Sequence, residues 1–485
     1  MTSLSRNGYS IKKNSIDEKE LQKIRDDLTV CVENRMFDNV PPKRYSLYRE
    51  NDTKIYLPKF YGLQKFGVPT RNVIGNGIKC PRMIFNGDLR PVQMEQVNAY
   101  MSALDDPQKM GGIISIKCGG GKSVIAIYIA CLLKLKTLFI VHKEFLGTQF
   151  AERISMFSPT SKIGILKQNK IDIEDKDFVV ASLQSIAMKD YPQEIFDQFG
   201  LVIIDEIHRT SAEVFSQALI KACCPYALGL SATLNRKDGL RKVFEWFVGK
   251  PVIKPTSKDD DSNVLIKCCT FNCNDLDYCQ TLTMYNNKIN AVGMLSQAAN
   301  YIPRAEYIVD VIMNNMDEQR KVIVLSERKG LLETLHKMLT KICKDQYTVA
   351  FYVGGMKQSD LDISATKDII LGTYQLAQEG LDIPSLNMLV MATGIGDIQQ
   401  SVGRILRDKP EDRKVIPIVI DIVDNFSIFK ARYEKRLSYY KKKDYTIEYE
   451  SSLTKEEKKE KKEKKEEKDL LKKIAQCEIV VNNVD

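Results

Sequence analysis

The feature that most constrains the fold is a twice-repeated alternation of short apolar runs with segments long enough to form helices. The first series follows residue 81 and contains GGIISIKC, TLFIVHK, DFVVAS, LVIIDEI and YALGLSAT. The second begins near residue 300 and contains KVIVLSE, YTVAFYVG, DIILGTYQ, LNMLVMATG and VIPIVIDIV. Buried strands that alternate with helices are typical of βαβ units, which form parallel sheets. The sequence therefore predicts an α/β protein with two parallel-sheet domains of similar size.

The segments outside these two series set the predicted domain boundaries. A chain of 485 residues exceeds what one ordinary core holds, so several domains are expected. We expect an N-terminal accessory module at 1–80, α/β domains at 81–255 and 301–430, a connecting segment at 256–300, and a helical and charged tail at 431–485.

The N-terminal module contains the aromatic and basic stretch RYSLYRENDTKIYLPKFYGLQKFG. Its period of two and its Gly and Pro residues predict short strands. Two interpretations remain open for the aromatic residues. They pack against the next domain, which we favour, or they form a basic and aromatic surface for nucleic acid.

Apolar runs and cysteines bear on the expected compartment. No apolar run is long enough to span a bilayer, and the N-terminus lacks the apolar region of a secretory signal. We therefore expect an intracellular protein without membrane contact.

The twelve cysteines lie scattered in apolar stretches. The cluster Cys268, Cys269, Cys273 and Cys279 has irregular spacing and no nearby histidine, which favours ordinary thiols over a zinc site.

The formal net charge of +9 suits a polyanionic partner, although phosphate binding requires local clustering of the basic residues. Residues 455–469 contain eight lysines and seven acidic residues, so the rest of the chain carries +8. The charged run itself is typical of a solvated helix or tail, and we assign it no chemistry.

A glycine-rich turn follows the first apolar run, in ISIKCGGGKSVIAIYIA. Gly119, Gly120 and Gly121 allow backbone N–H groups to approach phosphates, beside the positive end of the following helix. Lys122 is then placed to reach the β- and γ-phosphates, and Ser123 to ligate Mg²⁺. The match to the phosphate-loop pattern is incomplete, because Ile116 occupies its first glycine position.

The run LVIIDEIH ends an apolar strand in two carboxylates. Ligands bind at the carboxyl ends of parallel strands, so this is where an active site is expected. Asp205 is placed to hold Mg²⁺, and Glu206 to orient or deprotonate the attacking water. A phosphate loop followed by this carboxylate pair predicts ATP hydrolysis.

Two further motifs are weak when taken alone. SAT, at Ser231 to Thr233, follows the strand YALGL. QSVGRILR spans Gln400 to Arg407 on a predicted helix, with Arg404 and Arg407 three residues apart and so on the same face. Two arginines there are able to stabilise charge on a transferring phosphoryl group, although an isolated pair is more typical of a surface salt-bridge helix.

The order of these motifs resembles that of superfamily 2 helicases over most of residues 89–424. LRPVQ resembles the motif that reads adenine, KCGGGKS motif I, FIVHKEFLGTQF motif Ia, and ASLQS the next nucleic-acid-facing loop. DEIH resembles motif II, SAT motif III, TYQLAQEGLDIP motif V and QSVGRILR motif VI. The resemblance implies two tandem RecA-like domains that bind ATP and Mg²⁺ between them, with a small N-terminal accessory module and a charged C-terminal tail.

The resemblance also implies a role for each matching residue. Contacts to Mg·ATP are expected from Gln93, Cys118, Gly119, Gly120, Gly121, Lys122, Ser123, Asp205, Gly380 and Asp382. Catalysis is expected from Glu206, Gln400, Arg404 and Arg407, and coupling between nucleotide state and the second domain from His208, Ser231, Ala232 and Thr233. Thr373 and Gln375 are expected to contact the nucleic-acid backbone.

Within the superfamily, CGGGKS, DEIH, SATLNRKDGLRKVFEWFVG and the segment VIDIVDNFSIFKARYEKRLSYYKKKDY resemble XPB-like DNA helicases. They are also similar to the transcript-release helicases of poxviruses and to helicases of other large DNA viruses. This implies a DNA partner, association with transcription machinery and, for a viral protein, a location in the host cytoplasm or the virion. An RNA helicase, a double-strand translocase and an inactive nucleic-acid scaffold remain alternatives.

Overall fold

The computed structural model describes residues 2–32, 43–116, 120–207, 211–232, 240–253, 263–344, 346–381, 383–406 and 413–451. The chain divides into two compact units, Met1–Ser257 and Lys258–Asp485. No helix of the described residues is long and apolar enough to cross a membrane.

The first unit begins with a small α+β module. Its strands and helices are β1 (Thr2–Ser5), β2 (Gly8–Lys12), α1 (Glu18–Asp27), β3 (Thr29–Val32), β4 (Lys43–Ser46), β5 (Arg49–Glu50), β6 (Lys54–Leu57), α2 (Lys59–Phe66) and β7 (Arg71–Asn72). Five strands form a sheet in the order β5-β6-β2-β1-β7, and β3 pairs with β4. The short strands expected from the period-two pattern are therefore present.

The module packs against the α/β domain that follows it. Phe60 and Tyr61 of α2 are buried, and the ring of Tyr61 meets that of Trp246 edge-on at 5.4 Å. Arg6 donates from Nη1 to the carbonyl of Phe199 at 2.8 Å and from Nη2 to that of Asp197 at 2.7 Å. For Phe60 and Tyr61, these contacts agree with the packing interpretation.

The rest of the first unit is a parallel α/β domain. Its elements are α3 (Pro91–Leu104), β8 (Gly111–Ser115), α4 (Lys122–Leu133), β9 (Thr137–Val141), α5 (Glu144–Phe157), β10 (Ile163–Lys167), β11 (Lys170–Asp172), β12 (Phe178–Ser182), α6 (Leu183–Met188), α7 (Gln193–Asp197), β13 (Leu201–Ile204), α8 (Ala212–Lys221), β14 (Tyr226–Ser231) and α9 (Arg241–Val248). The sheet order is β11-β10-β12-β9-β13-β14-β8, and only β11 runs antiparallel to its neighbour.

The core of this domain lies on both faces of its sheet, as the continuous apolar runs predict. Successive residues of β13 alternate between the two layers. Ile203 packs with the layer that contains α4 and α5, whereas Val202 and Ile204 pack with the layer that contains α8, α9 and the N-terminal module. Because β8, β13 and β14 are parallel, their carboxyl ends meet at one edge.

The second unit is a second parallel α/β domain. Its elements are β15 (Leu265–Phe271), α10 (Leu276–Cys279), α11 (Ala291–Asn300), α12 (Ile302–Asn314), β16 (Val322–Ser326), α13 (Lys329–Cys343), β17 (Val349–Tyr352), α14 (Gln358–Ser364), β18 (Ile369–Thr373), α15 (Tyr374–Gly380), β19 (Met388–Met391), α16 (Gln399–Val402), β20 (Ile418–Asp424), α17 (Ser427–Lys442) and β21 (Thr446–Ser451). All seven strands are parallel, in the order β17-β18-β16-β19-β20-β15-β21. The predicted α/β class with two parallel-sheet domains is confirmed.

Two strands of this sheet lie outside the range 301–430 expected for the domain. β15 lies within the segment expected to connect the domains, and β21 within the expected tail. β15 pairs on one side with β20 and on the other with β21, which forms the edge of the sheet. The pairing joins residues far apart in sequence, so a local reading of either segment does not reveal it.

Candidate nucleotide-hydrolysis site

The glycine-rich turn leads from β8 into the N-terminus of α4. Gly121 precedes the helix with a φ of 84°, in the left-handed region. A Cβ atom at Gly121 would lie 2.2 Å from Nε2 of Gln93, so a larger residue would displace that side chain. Lys122 and Ser123 are the first two residues of α4, where the helix dipole favours an anion. Backbone and dipole therefore suit a phosphate group at this turn.

Gln93 of α3 fixes the position of the turn. Its Nε2 donates to the carbonyl of Gly120 at 3.0 Å, and its Oε1 accepts from the backbone N–H of Arg90 at 2.9 Å. The side chain is buried, and the two hydrogen bonds tie the glycine turn to the start of α3. That Gln93 recognises the adenine base of ATP stays a prediction.

Asp205 and Glu206 follow β13 directly at the same edge of the sheet. The backbone N–H of Asp205 donates to the carbonyl of Ile140 at 3.3 Å and so continues the ladder with β9. Glu206 has a φ of 46°, which is rare for a residue other than glycine. Its own N–H donates to Oδ1 of Asp205 at 2.9 Å. The chain thus turns sharply, with both carboxylates at the end of one strand.

The fold brings this carboxylate pair to the glycine turn. Nζ of Lys122 lies 2.8 Å from Oε1 of Glu206, and both side chains are largely buried. The two residues are far apart in sequence and belong to different motifs. Their ion pair joins the phosphate-binding element to the residue expected to activate water.

The electrostatics of the pair fit a bound cation. Burial and the neighbouring carboxylate of Glu206 raise the pKa of Asp205 to about 7, against the opposing effect of Lys122. A divalent cation would offset this excess of negative charge, and Mg²⁺ prefers carboxylate and hydroxyl oxygens. Asp205 and Ser123 are the residues that would hold it. Bound Mg²⁺ supplies neutralisation of phosphate charge during transfer.

Arg153 is a residue near the site that no motif indicated. It lies on α5, and the charges of Arg153 and Asp205 influence each other. Burial lowers the pKa of Arg153 while Asp205 raises it, and Arg153 in turn opposes the rise at Asp205. The sequence carries no signal for this charge interaction, because it depends on how α5 packs against the sheet.

Ser231 connects motif III to the chain that precedes the glycine turn. It is the last residue of β14, is fully buried, and accepts at its carbonyl from the N–H of Ile116 at 3.1 Å. Ser115 stands opposite it in β8. Ala232 follows and is also buried. A movement of Ser231 would therefore reach the chain that leads into the phosphate loop, and its coupling role stays a prediction.

In the second unit, motifs V and VI contact each other. Nη1 of Arg404 donates to the carbonyl of Leu381 at 2.8 Å, and the Arg404 side chain is buried. Gln400 is buried within α16. Thr373 ends β18, Gln375 is exposed on α15, and Gly380 is the last residue of that helix. The contact places Arg404 beside the end of motif V.

The helix expected to carry motif VI is shorter than predicted. α16 ends at Val402, and Arg404 lies beyond it, bonded through its N–H to the carbonyl of Ser401 at 3.1 Å. Gly403 caps the helix, which agrees with the weak helix propensity of glycine. The prediction of one helix that spans Gln400 to Arg407 was therefore wrong, because the helix ends at Val402.

Six of the expected site residues lie outside the described residues: Cys118, Gly119, His208, Thr233, Asp382 and Arg407. Their roles stay predictions. The described residues do bring together Gly121, Lys122, Asp205 and Glu206 in the first unit, and Leu381 and Arg404 in the second.

Comparison with known families gives two matches. Residues 86–236 match the family described as "Type III restriction enzyme, res subunit", and residues 303–409 match the "Helicase conserved C-terminal domain". The first match contains the glycine turn and both carboxylates, and the second contains motifs V and VI.

Several viral proteins are similar over most of the chain. A protein of Acanthamoeba polyphaga mimivirus, named as an ATP-dependent RNA helicase, is 36% identical over 457 residues, which cover 92% of this chain and 86% of the relative. A helicase by name from Invertebrate iridescent virus 6 is 28% identical and covers 88% of this chain and 96% of the relative. Among solved structures, a variant of Saccharomyces cerevisiae Dbp5 bound to RNA and ADP BeF3 shares the fold with a TM-score of 0.50 and 15% identity, covering 77% of this chain and 93% of that one.

Proposed function

Since the chain belongs to the superfamily 2 helicases and has relatives in large DNA viruses, we propose that it is a motor that acts on DNA in transcription or repair. Its ATP-dependent helicase activity, with Mg²⁺ as cofactor, follows from the family. The DNA substrate and the pathway are the proposal. For a viral protein, the proposal implies the host cytoplasm or the virion as the location.

The contact between Lys122 and Glu206 is the observation that best supports ATP hydrolysis at this site. At 2.8 Å, the lysine and the general-base candidate neutralise each other. When the γ-phosphate of ATP engages Lys122, the ion pair loosens and Glu206 becomes available to orient and deprotonate water. Before ATP binds, the lysine occupies the base, so Glu206 becomes available only once the phosphate is in place.

Arg404 and Arg407, with Gln400, complete the proposed reaction from the second unit. A guanidinium group presents several N–H donors in a fixed plane, which suits the charge that develops on a transferring phosphoryl group. ATP binding would then favour a closed state and hydrolysis an open one, and this alternation drives movement along a strand.

Motif II supports a DNA substrate because it reads DEIH, and so differs from the DEAD sequence of the DEAD-box RNA helicases. The segment SATLNRKDGLRKVFEWFVG and residues 419–445 further resemble XPB-like DNA helicases. An RNA substrate is the alternative, and it has its own support: the mimivirus relative and one from African swine fever virus carry RNA helicase names. An inactive scaffold is disfavoured, because Lys122, Asp205 and Glu206 are all retained.

The test is steady-state ATPase activity without nucleic acid and with single-stranded DNA, duplex DNA or RNA, for the wild type and Glu206→Gln. We expect DNA to stimulate turnover and Glu206→Gln to lower kcat about a hundredfold or more, because the amide cannot act as a base. Binding of a fluorescent ATP analogue should persist in the variant.

Stimulation by RNA alone would support the same motor on an RNA substrate. No stimulation by any nucleic acid at low salt, together with equal turnover in the variant, would favour the scaffold. A strand-displacement assay with DNA and RNA duplexes then separates helicases from double-strand translocases.

A further inference from the structure

A short hairpin projects from the second unit between α10 and α11, at residues 282–290; we call it the tyrosine hairpin. An antiparallel bridge pairs Thr283 with Ile289. The N–H of Met284 donates to the carbonyl of Lys288 at 2.7 Å, and Asn287 adopts a φ of 58° in the turn. Asparagine tolerates this left-handed conformation better than most residues. The segment is a hydrogen-bonded turn with a defined shape.

The base of the tyrosine hairpin is fixed to the fold. The N–H of Leu282 donates to Sδ of the buried Met294 at 3.1 Å. Oδ1 of Asn290 accepts from the N–H of Gly293 at 2.8 Å and so caps α11. Nε2 of Gln297 donates to the carbonyl of Tyr278 at 2.7 Å. The tip is therefore presented from a rigid support.

Tyr285 lies in the turn and is fully exposed to solvent. Three further apolar side chains around it are about half-exposed or more: Met284 (47%), Ile289 (43%) and Val292 (65%). One exposed apolar residue needs no explanation, but an exposed aromatic ring on a rigid turn among several apolar neighbours indicates a contact surface.

The tyrosine hairpin stands at the carboxyl edge of the second sheet. Nη2 of Arg328 donates to the carbonyl of Val292 at 2.7 Å. Arg328 is the second residue after β16, whose last residue, Ser326, is paired with Thr373 at the end of β18. Thr373 is one of the two residues expected to contact the nucleic-acid backbone. The start of α11, which directly follows the hairpin, and Thr373 therefore lie at one edge of the sheet.

The charges around Tyr285 are compatible with a polyanion. Residues 280–303 contain a single charged side chain, Lys288, and no carboxylate. The nearest carboxylates along the chain on the N-terminal side belong to Asp275 and Asp277. Oδ1 of Asp275 accepts from the N–H of Asp277 at 2.9 Å, and its Oδ2 accepts from the hydroxyl of Tyr301 at 3.0 Å. An aromatic ring beside amide side chains and a lysine suits nucleic acid more than an apolar protein helix.

We propose that Tyr285 of the tyrosine hairpin stacks on an unpaired base of single-stranded nucleic acid that crosses the carboxyl edge of the second sheet. Stacking on a ring tolerates any base, so the contact adds affinity without sequence preference. Met284 and Ile289 would widen the apolar platform. The inference rests on the proposed function and assigns it a specific contact with the single strand.

The test measures binding of fluorescein-labelled oligothymidylate and oligouridylate by anisotropy, with full-length wild type, Tyr285→Ala and Tyr285→Phe. We expect Tyr285→Ala to weaken binding about tenfold, as loss of one stacked base does, and Tyr285→Phe to bind as the wild type does. An oligonucleotide containing 2-aminopurine should be quenched by the wild type and by Tyr285→Phe, and much less by Tyr285→Ala. Because Tyr285 is fully exposed, the melting temperature should not change.

Tyr449→Ala is the matched control. Tyr449 is 65% exposed on the edge strand β21, and its removal should leave anisotropy and quenching unchanged. Tyr285→Ala binding and quenching like the wild type would overturn the inference. Normal binding with altered self-association in Tyr285→Ala would also overturn it and make the hairpin a protein contact. Failure of the wild type to bind any oligonucleotide would instead contradict the proposed function.

Discussion

Two residues in the left-handed region shape the hydrolysis site, and they differ in what they tolerate. Glu206 adopts a φ of 46° although it carries a side chain, and its N–H bonds to Asp205. This conformation is strained, with a free energy of roughly 1–3 kcal/mol that the surrounding structure offsets. Gly121 has a φ of 84°, and a Cβ atom there would also displace the side chain of Gln93. Position 206 therefore tolerates a side chain in this conformation, whereas position 121 requires glycine more strictly.

We expect Gly121→Ala to weaken ATP binding at least about tenfold, because about 1–3 kcal/mol of strain and the displaced Gln93 both disturb the turn. Titration with a fluorescent ATP analogue measures the affinity. Gly67→Ala is the control: Gly67 also has a positive φ, 76°, but a Cβ atom there would meet nothing within 4 Å, and the residue caps the C-terminus of α2. Equal ATP affinity in both variants would contradict the role of the glycine turn.

Lys59 predicts a pH dependence of stability. It is buried at the start of α2, where its Nζ donates to the carbonyls of Cys224, at 3.3 Å, and Pro225. Burial lowers the pKa of Lys59 from 10.5 to about 8. Between these two pH values the unfolded chain holds more protons than the folded one, so this residue makes the free energy of unfolding rise with pH.

Lys59→Met should lose this rise, which is on the order of 3 kcal/mol for a shift of this size. Urea unfolding at several pH values between 8 and 10.5 measures the effect. Lys23→Met, at an exposed position of α1, should keep the pH profile of the wild type. If Lys59→Met also keeps that profile, the lysine is not the group responsible.

At the scale of elements, β20 carries two buried carboxylates that organise the second unit. Asp424 accepts from Nε of Arg304 at 2.8 Å and from the Tyr278 hydroxyl at 2.6 Å, while Asp421 accepts from Nε of Arg436 at 2.8 Å. The same two arginines donate to the carbonyls of residues 392 and 395, in the connection that leads from β19 to α16. Two ion pairs thus link β20 to α12 and α17 and to the connection that leads to motif VI.

Removal of one partner leaves the other as a buried, uncompensated charge. We expect Arg304→Met to lower the free energy of unfolding by about 3–5 kcal/mol, and the double variant Arg304→Met/Asp424→Leu to recover most of it. Urea denaturation of wild type, both single variants and the double variant measures the coupling. A double variant as unstable as Arg304→Met would mean that packing, and not the charge pair, dominates at this position.

The elements also show what the sequence was able to predict. The central strands are continuous apolar runs, and the ends of β8 and β13 carry the glycine turn and the carboxylates, so their meeting at one edge followed from parallel topology. β15 and β21 were missed because LIKCCTF and TIEYES mix polar with apolar residues and pair only through long-range parallel contacts. The contacts of Lys122 with Glu206 and of Arg404 with Leu381 depend on packing distances, which spacing does not encode.

At the scale of the whole molecule, the residues that we propose to be functional are divided between the two units. Lys122, Asp205 and Glu206 belong to the first, and Arg404 and Tyr285 to the second. Each unit has its own sheet and core, so each is able to hold its residues rigidly. The proposed motor takes two ligands, ATP and nucleic acid. If the binding of one ligand changes the affinity for the other, the reverse holds by the same factor, because coupling between two sites is reciprocal.

We expect salt to affect the binding of nucleic acid far more than the binding of ATP. The net charge of +9 has almost no contribution from residues 455–469, so the excess of basic residues belongs to the rest of the chain. Each phosphate that the protein neutralises releases counterions, and affinity falls as a power of salt concentration. With roughly six phosphate contacts, the nucleic-acid concentration needed for half-maximal ATPase stimulation should rise on the order of a thousandfold between about 50 and 200 mM salt.

Basal ATP turnover without nucleic acid is the internal control, and it should fall far less with added salt. The ion pair of the hydrolysis site, between Lys122 and Glu206, is largely buried, and buried charges are screened much less than exposed ones. Parallel titrations of both activities against salt measure the difference. Equal declines would place the salt effect in the ATP site itself. A steep loss of stimulation over a nearly constant basal rate would show that phosphate contacts on the surface of the molecule supply most of the grip on the strand.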